Sequence, residues 1–165
     1  MADSEKVALE HKAAKLFMRC YEKRFHQQIR HIWHNQPAKP DVSCYLSGQR
    51  LDLEIAHLYG SEQEAMQLLG RSLDQYTIEE LQALGKTDPH MRLLCSLNRI
   101  LADKANKQYR TDRVWLVIRN AHPAWSVDNI ADAQHQIEVP LSHPFEQIWI
   151  VGDMNGDTGI VRLYP

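Results

Sequence analysis

Two short runs of alternating apolar and polar positions, Asp41 to Leu46 and Gln49 to His57, flank Ser47-Gly48. They read as a β-hairpin closed by a two-residue turn, with Gly48 supplying the positive φ such a turn needs. In that register Leu46 faces Gln49, Ser43 faces Asp52 and Asp41 faces Glu54. Because side chains alternate across a strand, one face carries Asp41, Ser43, Tyr45, Arg50, Asp52 and Glu54, and the other Val42, Cys44, Leu46, Leu51, Leu53 and Ile55. One face is core, and the other is polar enough to be a site.

Around this hairpin the pattern switches to a helical period. Phe17, Tyr21, Phe25, Ile29 and Ile32 recur at steps of three and four, which predicts one long helix from about Ser4 to Trp33 lying on a sheet. Pro37 and Pro40 then deliver the chain into the hairpin. Ser61 and Glu64 form a capping-box start, and residues 71–89, broken by Gly85 and Asp88-Pro89, read as a surface insertion. From Pro89 to about Tyr109 a second helix carries Leu93, Leu94, Leu97, Ile100 and Leu101 on one stripe. Lys104, four residues after Ile100, continues that stripe as a cation. The apolar run Val114-Trp-Leu-Val-Ile118 has the character of a strand covered on both faces, joined to the hairpin by a parallel crossover. A helix capped by Ser126, a strand over Phe145 to Val151, a polar turn and a last strand over Ile160 to Tyr164 complete the chain. The expected architecture is α/β (α+β): one domain with a central mixed sheet of four to five strands flanked by helices.

Composition changes this picture little. The 165 residues suffice for one core, and no apolar run approaches the ~18 residues of a membrane span. Cys20, Cys44 and Cys95 have neither disulfide nor zinc spacing, so reduced thiols and a cytoplasmic setting are expected, with no membrane association. The net charge of −2 argues against a general nucleic-acid coat protein. Its distribution says more: Lys12, Lys15, Arg19, Lys23, Arg24 and Arg30 stand against one acid, Glu22, and Arg99, Lys104, Lys107, Arg110 and Arg113 stand against Asp103 and Asp112. Two such segments beside an acidic hairpin suit a phosphate-holding rim; solvated helix faces are the alternative.

The candidate chemistry lies in the hairpin. Like charges directly opposite in an antiparallel pair destabilise it, so Asp41 and Glu54 call for compensation, either by a divalent cation with hard oxygen ligands or by leaning on cations such as Arg50. His31 and His34 lack a third ligand and read as surface histidines. Asp153, Asn155 and Asp157 have the spacing of a calcium loop, but Thr158 and Tyr164 stand where Gly and Glu belong, and a polar turn is the better reading. Trp115, Trp125 and Trp149 read as core.

The order helix, hairpin with Pro40-Asp41 and downstream Glu54-Ile55-Ala56, long helix, strand, helix, strand resembles the PD-(D/E)XK nuclease superfamily, the restriction-endonuclease-like fold. The resemblance implies that Asp41 and Glu54 hold Mg2+ or Mn2+ for hydrolysis of DNA or RNA phosphodiesters, with Asp52 as an additional ligand. It also implies a lysine two residues after the glutamate, where this chain has Ala56. In some members that lysine comes from the following helix, which nominates Lys104, with Lys107 behind it; Glu22 would match an acid carried on the first helix. A nucleic-acid partner follows from the resemblance. A catalytically inactive module of the same fold, binding a protein or nucleic acid or pairing as a homodimer, is the other expectation.

Overall fold

The computed structural model describes residues 2–35, 40–59, 89–122 and 125–165. Helix α1 (Ala2–Phe25) is followed by strands β1 (Ile29–His34), β2 (Val42–Leu46) and β3 (Gln49–Leu58), then helix α2 (Pro89–Ala105), strand β4 (Val114–Asn120), helix α3 (Val127–Asp132) with a short 3-10 turn after it, and strands β5 (Gln147–Val151) and β6 (Ile160–Tyr164). Among the described residues the six strands form one sheet in chain order, with β3, β4 and β5 parallel and the remaining neighbours antiparallel. The class is α+β with a mixed sheet, and the strand count exceeds the expected four to five by β1.

That extra strand corrects the first expectation. The chain leaves the helix at His26, whose φ of +55° is a left-handed conformation that closes the last turn while its N–H still bonds Glu22 O at 2.8 Å. Ile29 and Ile32 mimic a helical stripe because β1 is irregular. Its register against β2 shifts between Arg30 and Trp33, so residues three apart fall on the same face of the sheet. Ile29 is buried there and Ile32 packs against the same cluster.

The hairpin has the register read from the sequence, with Leu46 opposite Gln49, Ser43 opposite Asp52 and Val42 opposite Leu53. Its apolar face packs under α1: Ala13, Ala14, Phe17 and Tyr21 meet Val42, Cys44, Leu51, Leu53, Trp115 and Trp149 in one cluster. Edge-to-face aromatic contacts order it, Phe17 with Trp115 at 6.1 Å and Tyr21 with Trp149 at 5.8 Å. The opposite face of β4 and β5 is covered by Leu93, Leu94, Leu97 and Leu101 of α2, with Trp125, Ile130 and Phe145. Every residue of β4 is buried, Val114 to Ile118 as their unbroken apolar run requires and Arg119 and Asn120 through hydrogen bonds to backbone carbonyls.

The parallel crossover from β3 through α2 to β4 is also as read. Residues 71–88 of the expected insertion at 71–89 and the capping box at Ser61 lie outside the described residues, while Pro89 opens α2. The turn from Gly152 to Gly159 is a polar hairpin loop. Asp153 organises it by accepting the backbone N–H groups of Asn155, Asp157 and Thr158 at 2.8–3.1 Å. No described helix is long and apolar enough to cross a membrane.

Candidate metal site and phosphate groove

The β2–β3 ladder ends at Val42 opposite Leu53, one pair short of the hairpin mouth. Carboxylates take over the backbone hydrogen bonding at that point. The N–H of Asp41 donates to Glu54 Oε1 at 3.2 Å, and the N–H of Ile55 donates to Asp41 Oδ2 at 3.0 Å. The two acids are thus neighbours, and both are buried, with 2% and 1% of their surface exposed.

Helix α2 supplies the compensation. Lys104, in its last turn, reaches Glu54 Oε2 at 3.2 Å, and the Tyr109 hydroxyl donates to the same oxygen at 2.9 Å. Burial, then the charge and hydrogen bond of Glu54, push the Tyr109 phenol well above its ordinary value, so it stays a donor. Lys104 thus places an ammonium against the carboxylate pair.

Asp52 is equally buried but turns to other partners. Its Oδ1 accepts the Ser43 hydroxyl at 2.7 Å and Arg50 Nε at 3.0 Å, and Asn35 Nδ2 donates to Ser43 Oγ at 2.6 Å. Asp52 thus anchors a separate polar row along the same face. Lys107 is exposed just beyond the end of α2. Glu22 pairs with Arg30 at 3.0 Å, and Arg30 sits opposite Tyr45 on β1. The mouth of the hairpin lies at the His34 end of β1, four residues or roughly 13 Å away. Glu22 is therefore not brought to the acid pair.

The helix acid level with the hairpin mouth is Glu10, only 5% exposed, which bonds His34 Nε2 at 2.7 Å on the α1 face of the sheet. His34 is accordingly a half-buried residue hydrogen-bonded to Glu10 and not a surface one. Glu10 sits seven residues before Phe17 and three before Ala13, on the apolar stripe of α1, a signal available in the sequence. Tyr109, read from the sequence as the end of the second helix, lies beyond it, because α2 stops at Ala105.

Just past Glu54, Lys6, Glu10, Ile55, Ala56 and His57 line a cavity of about 140 Å3. His57 is held neutral there: burial, then the charge of Arg119, lower its pKa to about 4, with Asp41 opposing. On the other side, where the parallel strands begin, Arg50, Asp52, Arg110, Thr111, Asp112 and Arg113 line a groove of about 460 Å3. The buried acid pair therefore lies between a small cavity and an arginine-lined groove.

Hard carboxylate oxygens suit Mg2+ or Mn2+, and Mg2+ is commonly held by one or two carboxylates with waters completing its shell, so Asp41 and Glu54 fit such an ion. Among the described residues no group of three or more His, Cys, Asp or Glu side chains is placed to hold a metal by itself. Asp52 is therefore not assembled with the pair as a third ligand. No family model, curated protein or solved structure matches the chain.

Proposed function

We propose that the chain is a divergent member of the PD-(D/E)XK superfamily with the restriction-endonuclease-like fold, acting as a metal-dependent phosphodiester hydrolase on DNA or RNA. One observation carries the reading: two buried carboxylates, Asp41 and Glu54, meet at the hairpin mouth with an ammonium from the crossover helix on the second of them. The element order and the parallel β3–α2–β4 crossover support it.

In this reading Asp41 and Glu54 hold Mg2+ or Mn2+. The bound ion supplies Lewis-acid stabilisation of phosphoryl charge and lowers the pKa of a water. The chain's own residues do the remainder. Lys104 stands where the relocated motif lysine is needed, able to orient the attacking water or neutralise charge on the phosphoryl oxygens once it leaves Glu54. Tyr109 holds Glu54 Oε2 in place through its hydroxyl, and the Ile55 N–H fixes the Asp41 carboxylate. Substrate phosphates would lie along the arginine groove.

The closed Lys104–Glu54 pair, with Ala56 at the motif's own lysine position, favours a second reading: a module of this fold that binds a partner without cleaving it. One experiment separates the two. Calorimetric titration of Mg2+ and Mn2+ compares wild type with the Asp41→Asn, Glu54→Gln double variant, and cleavage of plasmid, single-stranded DNA and RNA is followed with and without Lys104→Ala. Metal binding lost in the double variant, with cleavage lost in both, supports the hydrolase. Metal binding without cleavage supports the module, and identical isotherms for wild type and double variant refute the metal site.

A further inference from the structure

We infer that Asn35 is a positioning residue for Asp41: a register shift in β1 brings it to the hairpin mouth, where it fixes the direction of the Asp41 carboxylate. Its bearing on a bound metal ion rests on the hydrolase reading; its hold on Asp41 does not.

The irregularity of β1 is what places Asn35 there. Arg30 faces Tyr45, so a regular ladder would set Asn35 against Pro40. The shift between Arg30 and Trp33 puts His34 opposite Val42 instead, and the next residue, Asn35, falls level with Asp41. The Asn35 N–H accordingly donates to Asp41 O at 2.9 Å. Such an irregularity disrupts the ladder locally and serves where a side chain has to be re-aimed. The end of the strand is also anchored from the α1 face, where His34 Nε2 bonds the buried Glu10 at 2.7 Å.

The Asn35 side chain has a unique orientation. Its Nδ2 donates to Pro40 O at 3.1 Å and to Ser43 Oγ at 2.6 Å. Both amide hydrogens are thereby used, and the reverse orientation is excluded because the Pro40 carbonyl can only accept. Ser43, which is fully buried, is saturated in turn. It accepts from Asn35 and from Arg50 Nη2 at 3.3 Å, and it gives its one proton to Asp52 Oδ1 at 2.7 Å.

The consequence for Asp41 is geometric. A peptide unit is planar, so holding the two units that flank a Cα fixes φ and ψ there, and with them the direction of the side chain. The unit before the Asp41 Cα is gripped at both edges, Pro40 O by Asn35 Nδ2 and the Asp41 N–H by Glu54 Oε1. The unit after it is gripped at Asp41 O by the Asn35 N–H. Two of these three contacts come from Asn35. The Ile55 N–H then holds the carboxylate through Oδ2. Mg2+ demands near-ideal ligand geometry, and groups that hold its ligands carry about 10–100-fold in affinity. Lys104 and Tyr109 hold Glu54 from the α2 side, and Asn35 does the same for Asp41 from β1.

The test compares wild type with Asn35→Ala and with Asn35→Leu, which keeps bulk but has no side-chain donor. Leu163→Ala in β6, at the far edge of the sheet, is a destabilised control. Asn35 is half-buried and outside both apolar clusters, so its variants keep the core, and circular dichroism verifies it. Amide hydrogen exchange is read first, in EDTA. The Ile55 N–H lies past the last pair of the β2–β3 ladder and donates to Asp41 Oδ2, so its protection reports on that carboxylate. It should exchange about tenfold faster than in wild type in both Asn35 variants, while the Val117 amide of β4 keeps its rate. Calorimetry with Mn2+ follows, with affinity about 10–100-fold weaker in both variants and unchanged in Leu163→Ala. Ile55 exchange at the wild-type rate in both Asn35 variants overturns the inference, as does the same acceleration in Leu163→Ala. Wild-type Mn2+ affinity in both Asn35 variants also overturns it and leaves the metal site standing. A wild type that binds no Mn2+ removes the hydrolase reading, and Ile55 exchange then decides on the positioning alone.

Discussion

Replacing Lys104 by Met keeps the apolar stem at the end of α2 and removes only the ammonium; the Tyr109 hydroxyl and the Asp41 N–H still donate to Glu54. Breaking a buried pair from one side costs about 3–5 kcal/mol. Lys104 keeps 22% of its side chain in water while Glu54 keeps 2%, so the low end, about 3 kcal/mol, applies. With a urea m-value of about 2 kcal/mol/M, the unfolding midpoint should fall by about 1.5 M. Glu54→Gln retains a carbonyl to accept from Tyr109 but no charge to hold Lys104. In the double variant the two losses should overlap, with a coupling of about 2 kcal/mol measured by urea unfolding of all four proteins. The same Lys104→Met variant should bind Mn2+ more tightly, since the ammonium no longer competes for Glu54. Coupling below about 0.5 kcal/mol would show that the ammonium and the carboxylate do not meet, and the hydrolase reading would lose its cation.

Tyr109→Phe should cost about 1.5 kcal/mol by urea unfolding, the loss of a hydrogen bond to a charged acceptor. Because the folded state raises this phenol above its ordinary value, its contribution is complete below about pH 10 and is lost as pH rises beyond that; the variant should flatten the alkaline decline. His57 has the opposite sense. Lowered from 6.5 to about 4, it takes up protons in the unfolded chain first, so stability should fall as pH drops from about 6.5 to about 4. His57→Phe should remove up to about 3 kcal/mol of that slope in a pH series of denaturation curves. His26→Gly relieves the left-handed conformation that ends α1 and should raise the unfolding midpoint by the equivalent of about 0.5–1 kcal/mol; an unchanged or lower midpoint would contradict the +55° φ.

The hairpin was legible because both of its strands obey a strict two-residue alternation, and a register fixed by a two-residue turn places Asp41 against Glu54 without further information. α2 and β4 were legible for the same reason, one by a leucine stripe and the other by an unbroken apolar run. β1 was not, because its irregularity puts Ile29 and Ile32 on one face at helical spacing, and the helix end before it is made by His26 without a glycine or proline to mark it. Lys104 could be nominated since it continues a helical stripe onto the sheet. The first-helix acid could have been read the same way, and Glu10 satisfies that criterion where Glu22 does not. Tyr109 reaches Glu54 from the segment after α2, where the helix expected to run on to it has already ended.

The burial of these charges is itself an argument about function. α1 and α2 already cover the sheet with two apolar clusters, to which Asp41, Glu54 and Lys104 do not belong. Desolvating a buried ion pair offsets most of its attraction, and apolar side chains of similar volume generally stabilise a core as well or better. A structural role would need only enough acceptors to close the hairpin mouth, and one neutral side chain or a longer ladder supplies those. Two adjacent buried carboxylates concentrate negative charge at the spot where β2 and β3 part. Hard carboxylate oxygens gathered in this way are what a divalent-cation site uses, so metal titration is the measurement on which the assignment turns.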